Sequence, residues 1–322
     1  MIGLPDFSAP GAERPLRHAV AIGGGHGLAR TLRGLRDVAH DVTAVVTTAD
    51  DGGSSGRLRR DLGVVPPGDL RMALAALAGD DRHERVLQYR FDTGDLSGHA
   101  LGNLLLVAIA DLAGGDIVAA LEEVGRFAGV RGRVLPCTTT PLVLHAHRGG
   151  ADISGQVTIA QGGTPDRVWI EPTDVAPTPG VLAALASADL IVLGPGSLYT
   201  SIIPNLLVPG IAEAATAAAG PVVLVANLRE QVGETEGMDL ADHLEALRRH
   251  APGLVVDEVL VHAGAAPAGL GAPMDPGSLL GGAPAGWEAA PRVVTGDFLD
   301  GHDGHDPVAL AAAFVRVGTP VG

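Results

Sequence analysis

The sequence predicts an α/β fold with three layers, in which helices cover both faces of a mostly parallel sheet, together with a small β-rich insertion. Short apolar runs typical of buried strands alternate with helical apolar patterns along most of the 322 residues. Hydrophobic residues make up 46% of the chain and aromatic residues only 3%. Parallel sheets flanked by helices bury such small aliphatic side chains. The length suits one large domain or two.

The first predicted strand, at residues 19–22, runs directly into the glycine turn 23–27, and a helix with leucines at helical spacing follows. The next strand covers residues 42–47. Strand, glycine turn, helix and strand form a βαβ unit, so we predict a Rossmann-like sheet. A second stripe on the helix, which we interpret as a solvated face, consists of Arg30, Arg33 and Arg36.

The glycine turn supplies backbone N–H groups at a helix N-terminus, where phosphate groups bind. The dinucleotide-binding pattern G-x-G-x-x-G requires a last glycine where this chain has Leu28, so NAD is not an expected cofactor. The candidate ligand-binding residues of this turn are Gly24, Gly25, His26 and Gly27.

The second strand ends in a polar loop, A-D-D-G-G-S-S-G-R, at residues 49–57. Its glycines expose backbone N–H groups and its arginine has a planar fork suited to phosphate. Its two carboxylates suit ribose hydroxyls or a hard cation such as Mg²⁺. The alternative is a flexible surface loop with two solvated acids. The candidates are Asp50 and Asp51, as Mg²⁺ ligands and as catalytic residues if the protein is an enzyme, and Gly52, Gly53, Ser54, Ser55 and Arg57, as ligand-binding residues.

Two helix starts add further candidate ligand-binding residues. In P-P-G-D-L-R, Asp69 suits either a ligand or an N-cap, and Arg71 lies where the helix dipole disfavours a cation, so it needs an anionic partner. In G-H-A-L-G-N, His99 and Asn103 either face a ligand or cap and pack the helix, and both interpretations stay open.

Two later strands, at residues 189–193 and 221–226, also end in glycine-rich or polar loops. Carboxyl ends of parallel strands lie at one edge of a sheet, so four such loops should converge there. This convergence predicts a ligand that carries phosphate. The candidates from these two loops are Gly194, Gly196, Ser197, Tyr199, Thr200, Asn205, Asn227, Gln231, Gly233, Glu234 and Thr235.

We interpret residues 1–16 as a disordered leader and residues 17–318 as a single domain. Residues 263–290 are rich in Ala, Gly and Pro, which predicts an irregular lobe. The His/Asp cluster before the last helix suggests a metal site, but Asp306 as N-cap and Pro307 at the first helical position explain it more simply. The β-rich insertion at 134–175 has predicted strands at 142–145, 156–160 and 168–171.

Composition excludes several classes of function. A net charge of −15 argues against nucleic-acid binding, because no basic face is available. The single cysteine, Cys137, allows no disulfide within the chain and is best interpreted as a buried apolar side chain. The N-terminus lacks a secretory signal and no apolar run is long enough to span a membrane, so we expect a cytoplasmic protein.

Several long motifs resemble those of the gluconeogenesis factor family (YvcK-like), within the CofD-like group of 2-phospho-L-lactate transferases. They extend from about Val20 to His262, which is most of the chain. The matching stretches are GGGHGL, ADDGGSSGRLR, PPGDLR, GHALGNL, VRGRVLP, GPGSLYTSIIPNLLVP and the spaced Asn227 and Gln231–Thr235, followed by a final His305-Asp306.

The resemblance implies a Rossmann-like fold and binding of a nucleotide sugar, in particular UDP-N-acetylglucosamine. It also implies a link to gluconeogenic growth, to cell shape and to peptidoglycan synthesis. In the transferase branch the paired aspartates hold a divalent metal and the donor, which maps onto Asp50 and Asp51. The nucleotide side maps onto Asn227 and the loop 231–235.

Three functions therefore follow from the sequence, in decreasing order of support. The first is a UDP-sugar-binding factor without turnover, in which Arg57 or Arg71 neutralises the diphosphate. The second is a Mg²⁺-dependent transferase acting on a nucleotide-diphospho substrate. The third, an NAD-dependent oxidoreductase, rests on the βαβ unit alone. We also expect a homodimer or a larger homo-oligomer.

Overall fold

The structure, a computed structural model, describes residues 14–264, 271–279, 287 and 289–318. Within them a seven-stranded sheet forms the centre of the molecule, and every neighbouring pair of its strands is parallel. The strands of this sheet are β1 (Leu16–Gly23), β2 (Ala39–Val46), β3 (Arg133–Pro136), β7 (Leu190–Leu193), β8 (Val222–Val225), β9 (Glu258–His262) and β10 (Arg292–Gly296). Their order is β10-β9-β8-β7-β1-β2-β3.

A second, antiparallel sheet of three strands lies between β3 and β7 in the sequence. Its strands are β4 (Val143–Arg148), β5 (Ala151–Ser154) and β6 (Arg167–Glu171), in the order β5-β4-β6. The mostly parallel α/β fold and the small β-rich sheet are therefore both confirmed. Because β3 pairs with β2, the antiparallel part begins only at β4.

Helices cover both faces of the main sheet. The α-helices are α1 (Gly25–Val38), α2 (Gly53–Leu62), α3 (Gly68–Ala76), α4 (Asp81–Gln88), α5 (Leu101–Leu112), α6 (Ile117–Phe127), α7 (Gln156–Ala160), α8 (Val181–Ala186), α9 (Ile203–Leu206), α10 (Ile211–Thr216), α11 (Leu240–His250) and α12 (Pro307–Gly318). A π-helical turn at Leu198–Ile202 precedes α9, and a 3₁₀ turn occupies Pro276–Leu279.

The three-layer packing follows from the residue pattern of the central strands. Along β1, Val20 and Ile22 enter one apolar cluster while Ala19 and Ala21 enter the other, because successive side chains point to opposite faces. All four are completely buried. Cys137 is a free thiol buried in the first cluster, which agrees with its interpretation as a buried apolar side chain.

The chain reverses its direction of travel across the sheet beside β1. It builds β2 and β3 on one side of β1 and then returns to place β7 on the other side. In open α/β sheets ligands bind in the crevice that such a reversal leaves at the carboxyl ends of the strands. The loops after β1 and β7 border this crevice.

The prediction of a strand at residues 156–160 is wrong, because this segment forms the short helix α7. Its alternating apolar residues resemble a strand, but Gly155 has φ +96° and turns the chain away from β5. The Asp51 carboxylate then accepts a hydrogen bond from the Val157 N–H at 3.0 Å, which caps the new helix.

Of the two aspartates considered as N-caps, Asp306 caps its helix and Asp69 does not. Asp306 caps α12 by accepting the Val308 N–H at 2.9 Å, with Pro307 at the first helical position as expected. Asp69, in contrast, lies inside α3, whose N-cap is Pro67.

Much of the predicted leader and of the irregular lobe, namely residues 1–13, 265–270, 280–286 and 288, lies outside the described residues. No helix among those described has the length and apolar character needed to cross a bilayer.

Candidate functional site

A cavity of about 490 Å³ opens at the crevice beside β1. The loops after β1, β7 and β8 contribute to its wall, and the segment before α12 closes one side. Of the residues predicted from sequence, those lining this cavity are His26, Gly27, Gly196, Asn227 and Gln231.

The loops after β1 and β7 touch at Gly27, and only glycine permits this approach. A Cβ atom at Gly27 would overlap the Pro195 carbonyl oxygen and lie 2.6 Å from its carbonyl carbon. Both are backbone atoms, so no side chain could rotate away to make room. The glycine therefore sets the separation of the two loops that face the cavity.

Asn227, the first residue after β8 with a polar side chain, holds the β7 loop from the other side. Its Oδ1 accepts the Gly196 N–H at 2.7 Å and its Nδ2 donates to the Gly196 carbonyl at 2.9 Å. An amide side chain can satisfy both backbone groups at once. Asn227 therefore fixes the shape of the cavity wall as well as lining it.

Three arginines line the cavity, and none of them was among the predicted ligand-binding residues. Arg30 pairs with Asp300 at 2.6 Å and Arg33 with Glu84 at 2.5 Å. Arg229 has no carboxylate within 4.0 Å in the part of the chain that the structure describes. Its Nη2 is buried without a hydrogen-bond partner there, and Nη1 lies 3.5 Å from the Gly271 carbonyl oxygen.

The interpretation of the arginine stripe on α1 as a solvated face is therefore wrong for Arg30 and Arg33. The signal was their spacing of three residues directly after the glycine turn, which places both on one face near the helix N-terminus. The cations named from sequence do not line the cavity: Arg57 donates to the Ser97 carbonyl at 3.0 Å, and Arg71 lies in the interior.

A second polar cluster, the Asp50–Asp69 pair, lies beside the cavity at the carboxyl end of β2. The Gly52 N–H donates to Asp50 Oδ1 at 3.0 Å, and Ser55 donates to the same carboxylate. A Cβ at Gly24 would lie 2.5 Å from Asp69 Oδ2, so the glycine turn packs directly against this acid. A Cβ at Gly68, the residue before Asp69, would lie 2.9 Å from Asp50 Oδ2, so the two acids are neighbours beside the first glycine loop.

Burial raises the pKa of both acids. For Asp69 the pKa rises to about 7, because its carboxyl is desolvated and the Asp50 charge repels its own. The Gly25 N–H and Arg71 oppose this rise. For Asp50 desolvation again dominates, and the hydrogen bonds from Gly52 and Ser55 oppose it. At this edge of the sheet the protein therefore confines two carboxyl groups of like charge.

Asp51 also repels Asp50, but its carboxylate is held by the insertion. Its Oδ1 accepts the Val157 N–H, and a Cβ at Gly155 would lie 2.6 Å from its Oδ2. Asp50 thus repels both neighbouring acids, Asp69 within the buried pair and Asp51, which ties the insertion to the β2 loop. Within the described ranges no group of three or more His, Cys, Asp or Glu side chains has the arrangement of a metal site.

His99 and Asn103, for which two interpretations were open, belong to a hydrogen-bonded chain that runs into the interior. Arg71 Nε donates to Asn103 Oδ1 at 2.9 Å, and Asn103 Nδ2 donates to Ser54 Oγ at 3.0 Å. Ser54 Oγ lies 3.0 Å from His99 Nδ1. Arg71 also donates to Gln88, so its hydrogen-bond partners are neutral amides, while the expected anions, Asp69 and Asp50, interact with it through their charges.

Several predicted residues of the loops after β7 and β8 form a network below the β7 loop. Glu234 accepts the backbone N–H groups of Tyr199, at 2.8 Å, and Thr200, at 3.1 Å, and it also accepts from Ser197. Burial raises its pKa while these bonds oppose the rise. Thr235 and Asn205 are fully buried, and Asn205 Nδ2 donates to the Gly23 carbonyl at 3.2 Å. This network supports the loops from inside the fold.

Comparison with known families agrees with the fold. A family model described as 2-phospho-L-lactate transferase CofD matches residues 19–272. The chain belongs to the CofD family. The resemblance inferred from the sequence motifs is therefore confirmed, and the matched region includes the glycine turn, the Asp50–Asp69 pair and the loops after β7 and β8.

Relatives of this CofD-family chain carry gluconeogenesis-factor names. A Mycobacterium tuberculosis relative is 50% identical over 258 residues, covering 76% of this chain and 75% of its own length. The "Gluconeogenesis factor" of Listeria monocytogenes is 41% identical over 289 residues, covering 88% and 89%. A crystal structure of a UPF0052 family member from Bacillus halodurans superposes with TM-score 0.83 at 37% identity, covering 92% of this chain and 98% of that one.

Proposed function

We propose that this protein is a cytoplasmic binding factor for a nucleotide sugar of the UDP-N-acetylglucosamine type, with no turnover of its own. The diphosphate would lie between the loops after β1 and β7, against backbone N–H groups and Arg229. By this proposal, the protein links carbon metabolism to cell shape and peptidoglycan synthesis. The gluconeogenesis-factor names of its relatives support the metabolic half of the proposal.

The observation that carries the proposal is the unpaired guanidinium of Arg229 at the cavity wall. The Arg229 side chain is half-buried and its Nη2 atom is buried without an acceptor, so a bound phosphate would supply both an acceptor and an opposite charge. The cavity volume of about 490 Å³ is within the range of small-molecule sites. Neighbouring glycine loops let phosphate approach the backbone closely.

Arg229→Ala is therefore expected to weaken UDP-N-acetylglucosamine binding by about 10- to 100-fold, because a charge-assisted hydrogen bond contributes about 1.5–3 kcal/mol. Isothermal titration calorimetry measures the Kd. The matched control is Arg249→Ala: Arg249 also donates to one backbone carbonyl, that of Asp166 at 3.3 Å, and does not line the cavity. Equal affinities for the two variants, or no binding by the wild-type protein, would contradict the proposal.

The Asp50–Asp69 pair favours a second candidate, a Mg²⁺-dependent transferase of the CofD type. Mg²⁺ binds through one or two carboxylates together with substrate phosphates, and these two acids repel each other unless a cation or a proton lies between them. The residues present therefore fit the ion, with Asp50 and Asp69 as the ligands and Asp51 as a support for the loop. When bound, Mg²⁺ would offset charge developing on a leaving phosphate.

Turnover separates the two candidates. We expect no release of UMP or UDP when the wild-type protein is incubated with UDP-N-acetylglucosamine and Mg²⁺, as followed by liquid chromatography. Release that depends on Mg²⁺ and disappears in Asp50→Asn would replace the binding factor with the transferase. A cavity variant such as Arg229→Ala, assayed in the same series, tells whether any release arises at this site.

A further inference from the structure

His305, directly before α12, combines deep burial with access to the cavity. Only 6% of the residue is exposed, and it lines the cavity wall. Its Nε2 lies 3.1 Å from the carbonyl oxygen of Ala226 at the end of β8. A carbonyl oxygen only accepts hydrogen bonds, so Nε2 carries the ring proton. The ring is thereby anchored from inside the fold.

The other ring nitrogen of His305 is an acceptor without a partner. Burial lowers the pKa of His305 to about 4, with a further lowering from His262 and Arg30, so the ring is neutral and holds a single proton. Within the described residues Nδ1 makes no hydrogen bond, and it is not among the unpaired atoms enclosed in the interior. The small exposed part of this ring faces the cavity.

The backbone around His305 is fixed, so the position of Nδ1 is set before a ligand arrives. Arg30 Nη1 donates to the His305 carbonyl at 3.2 Å while the same guanidinium pairs with Asp300. The Leu299–His305 bridge closes the preceding turn. The wall also presents arginines, amide side chains and the carboxylates Glu230 and Asp303. A preorganised neutral acceptor among them contacts a different part of the ligand than the arginines do.

We propose that Nδ1 of His305 accepts a hydrogen bond from a hydroxyl or N–H group on the uncharged part of the bound ligand and so helps to determine which nucleotide sugar is accepted. Phosphate oxygens carry no proton at neutral pH, so they cannot supply this bond. The donor is a ribose hydroxyl, the imide N–H of the base, or a hydroxyl or amide N–H of the sugar. The inference rests on the proposed function and assigns a specificity residue within it.

His305→Gln tests the assignment, because a glutamine amide can still donate to the Ala226 carbonyl but provides no acceptor where Nδ1 stood. We expect about tenfold weaker binding of UDP-N-acetylglucosamine by calorimetry, with a melting temperature close to that of the wild-type protein. Ligand analogues test the wild-type protein directly. UDP and the 2′,3′-dideoxyuridine and N3-methyluridine forms of the ligand each remove one class of donor, and one of them should bind about tenfold more weakly.

The analogue that loses affinity for the wild-type protein should lose none for His305→Gln, because the bond is already absent. The matched control is His262→Gln: His262 is a buried histidine beside His305 that accepts the Phe298 N–H at 3.1 Å and does not line the cavity. The His262→Gln variant should have a changed melting temperature and the same Kd for UDP-N-acetylglucosamine as the wild-type protein.

Three outcomes would overturn the assignment. In the first, His305→Gln binds the ligand as tightly as the wild-type protein while Arg229→Ala does not, which refutes the role of His305 and leaves the proposed function standing. In the second, no analogue loses affinity for the wild-type protein. In the third, the wild-type protein binds none of these nucleotides, which refutes the proposed function and the inference together.

Discussion

Gly27→Ala is expected to abolish measurable nucleotide-sugar binding and to destabilise the protein. The new Cβ would overlap the Pro195 carbonyl oxygen, a backbone atom that cannot turn away. Overpacking of this kind costs about 1–3 kcal/mol in the free energy of unfolding. To relieve it, the loops after β1 and β7 must separate, and those loops form the proposed diphosphate site. We expect the Kd to rise by more than about 30-fold, since misplacing several hydrogen bonds costs at least about 2 kcal/mol.

Urea denaturation and calorimetry together check this prediction. Gly63→Ala is the control for lost stability: Gly63 ends α2 at φ +68°, and a Cβ atom there would project into open space. That variant should lose about 1 kcal/mol through backbone strain alone and keep its affinity. If Gly27→Ala binds the ligand as the wild-type protein does, the cavity beside β1 is not the binding site.

The sequence was informative wherever structure follows from neighbouring residues. The glycine turn 23–27 had to join a strand to a helix, because a short continuous apolar run precedes it and leucines at helical spacing follow it. Asp306 and Pro307 marked a helix start through local capping chemistry. The reversal of the strand order beside β1 could not be predicted from the sequence, yet it decides which of the four loops border the cavity.

Side-chain partners across the fold could not be predicted. Arg229 differs from the other cavity arginines because its Nη2 has no hydrogen-bond partner and no carboxylate lies within 4.0 Å of it in the described structure, and this depends on every neighbouring element. Asp51 follows Asp50 in sequence, but its carboxylate points to α7, an element from a distant part of the chain. Adjacent residues on a loop need not share a site, so the pairing of Asp50 with Asp69 required the packing of α3 against the β1 turn.

The burial of Asp69, together with repulsion from Asp50, makes stability depend on pH in a direction unusual for an aspartate. The pKa of Asp69 lies at about 7 in the folded protein and near 3.8 in the unfolded chain. Between these values the folded state holds a proton that the unfolded state has released, so the free energy of unfolding falls as pH rises from about 4 to 7. The pKa of Asp50 is raised as well and adds a change of the same sign.

Asp69→Asn should therefore stabilise the protein at pH 8 and have little effect near pH 4, because the amide never bears the repelled charge. A pKa shift of this size corresponds to at most about 4 kcal/mol in the free energy of unfolding. We expect a gain of about 2 kcal/mol, because part of the Asp69 side chain stays solvated. Urea denaturation at pH 5, 6.5 and 8 with EDTA present measures the gain. In an Asp50→Asn background the gain should shrink, since the repelling charge is absent. A gain that is equal at pH 5 and pH 8 would show that the pKa of Asp69 is not raised. A gain that is unchanged in the Asp50→Asn background would show that the two carboxyl groups are not coupled, which would contradict their proposed role as a cation site.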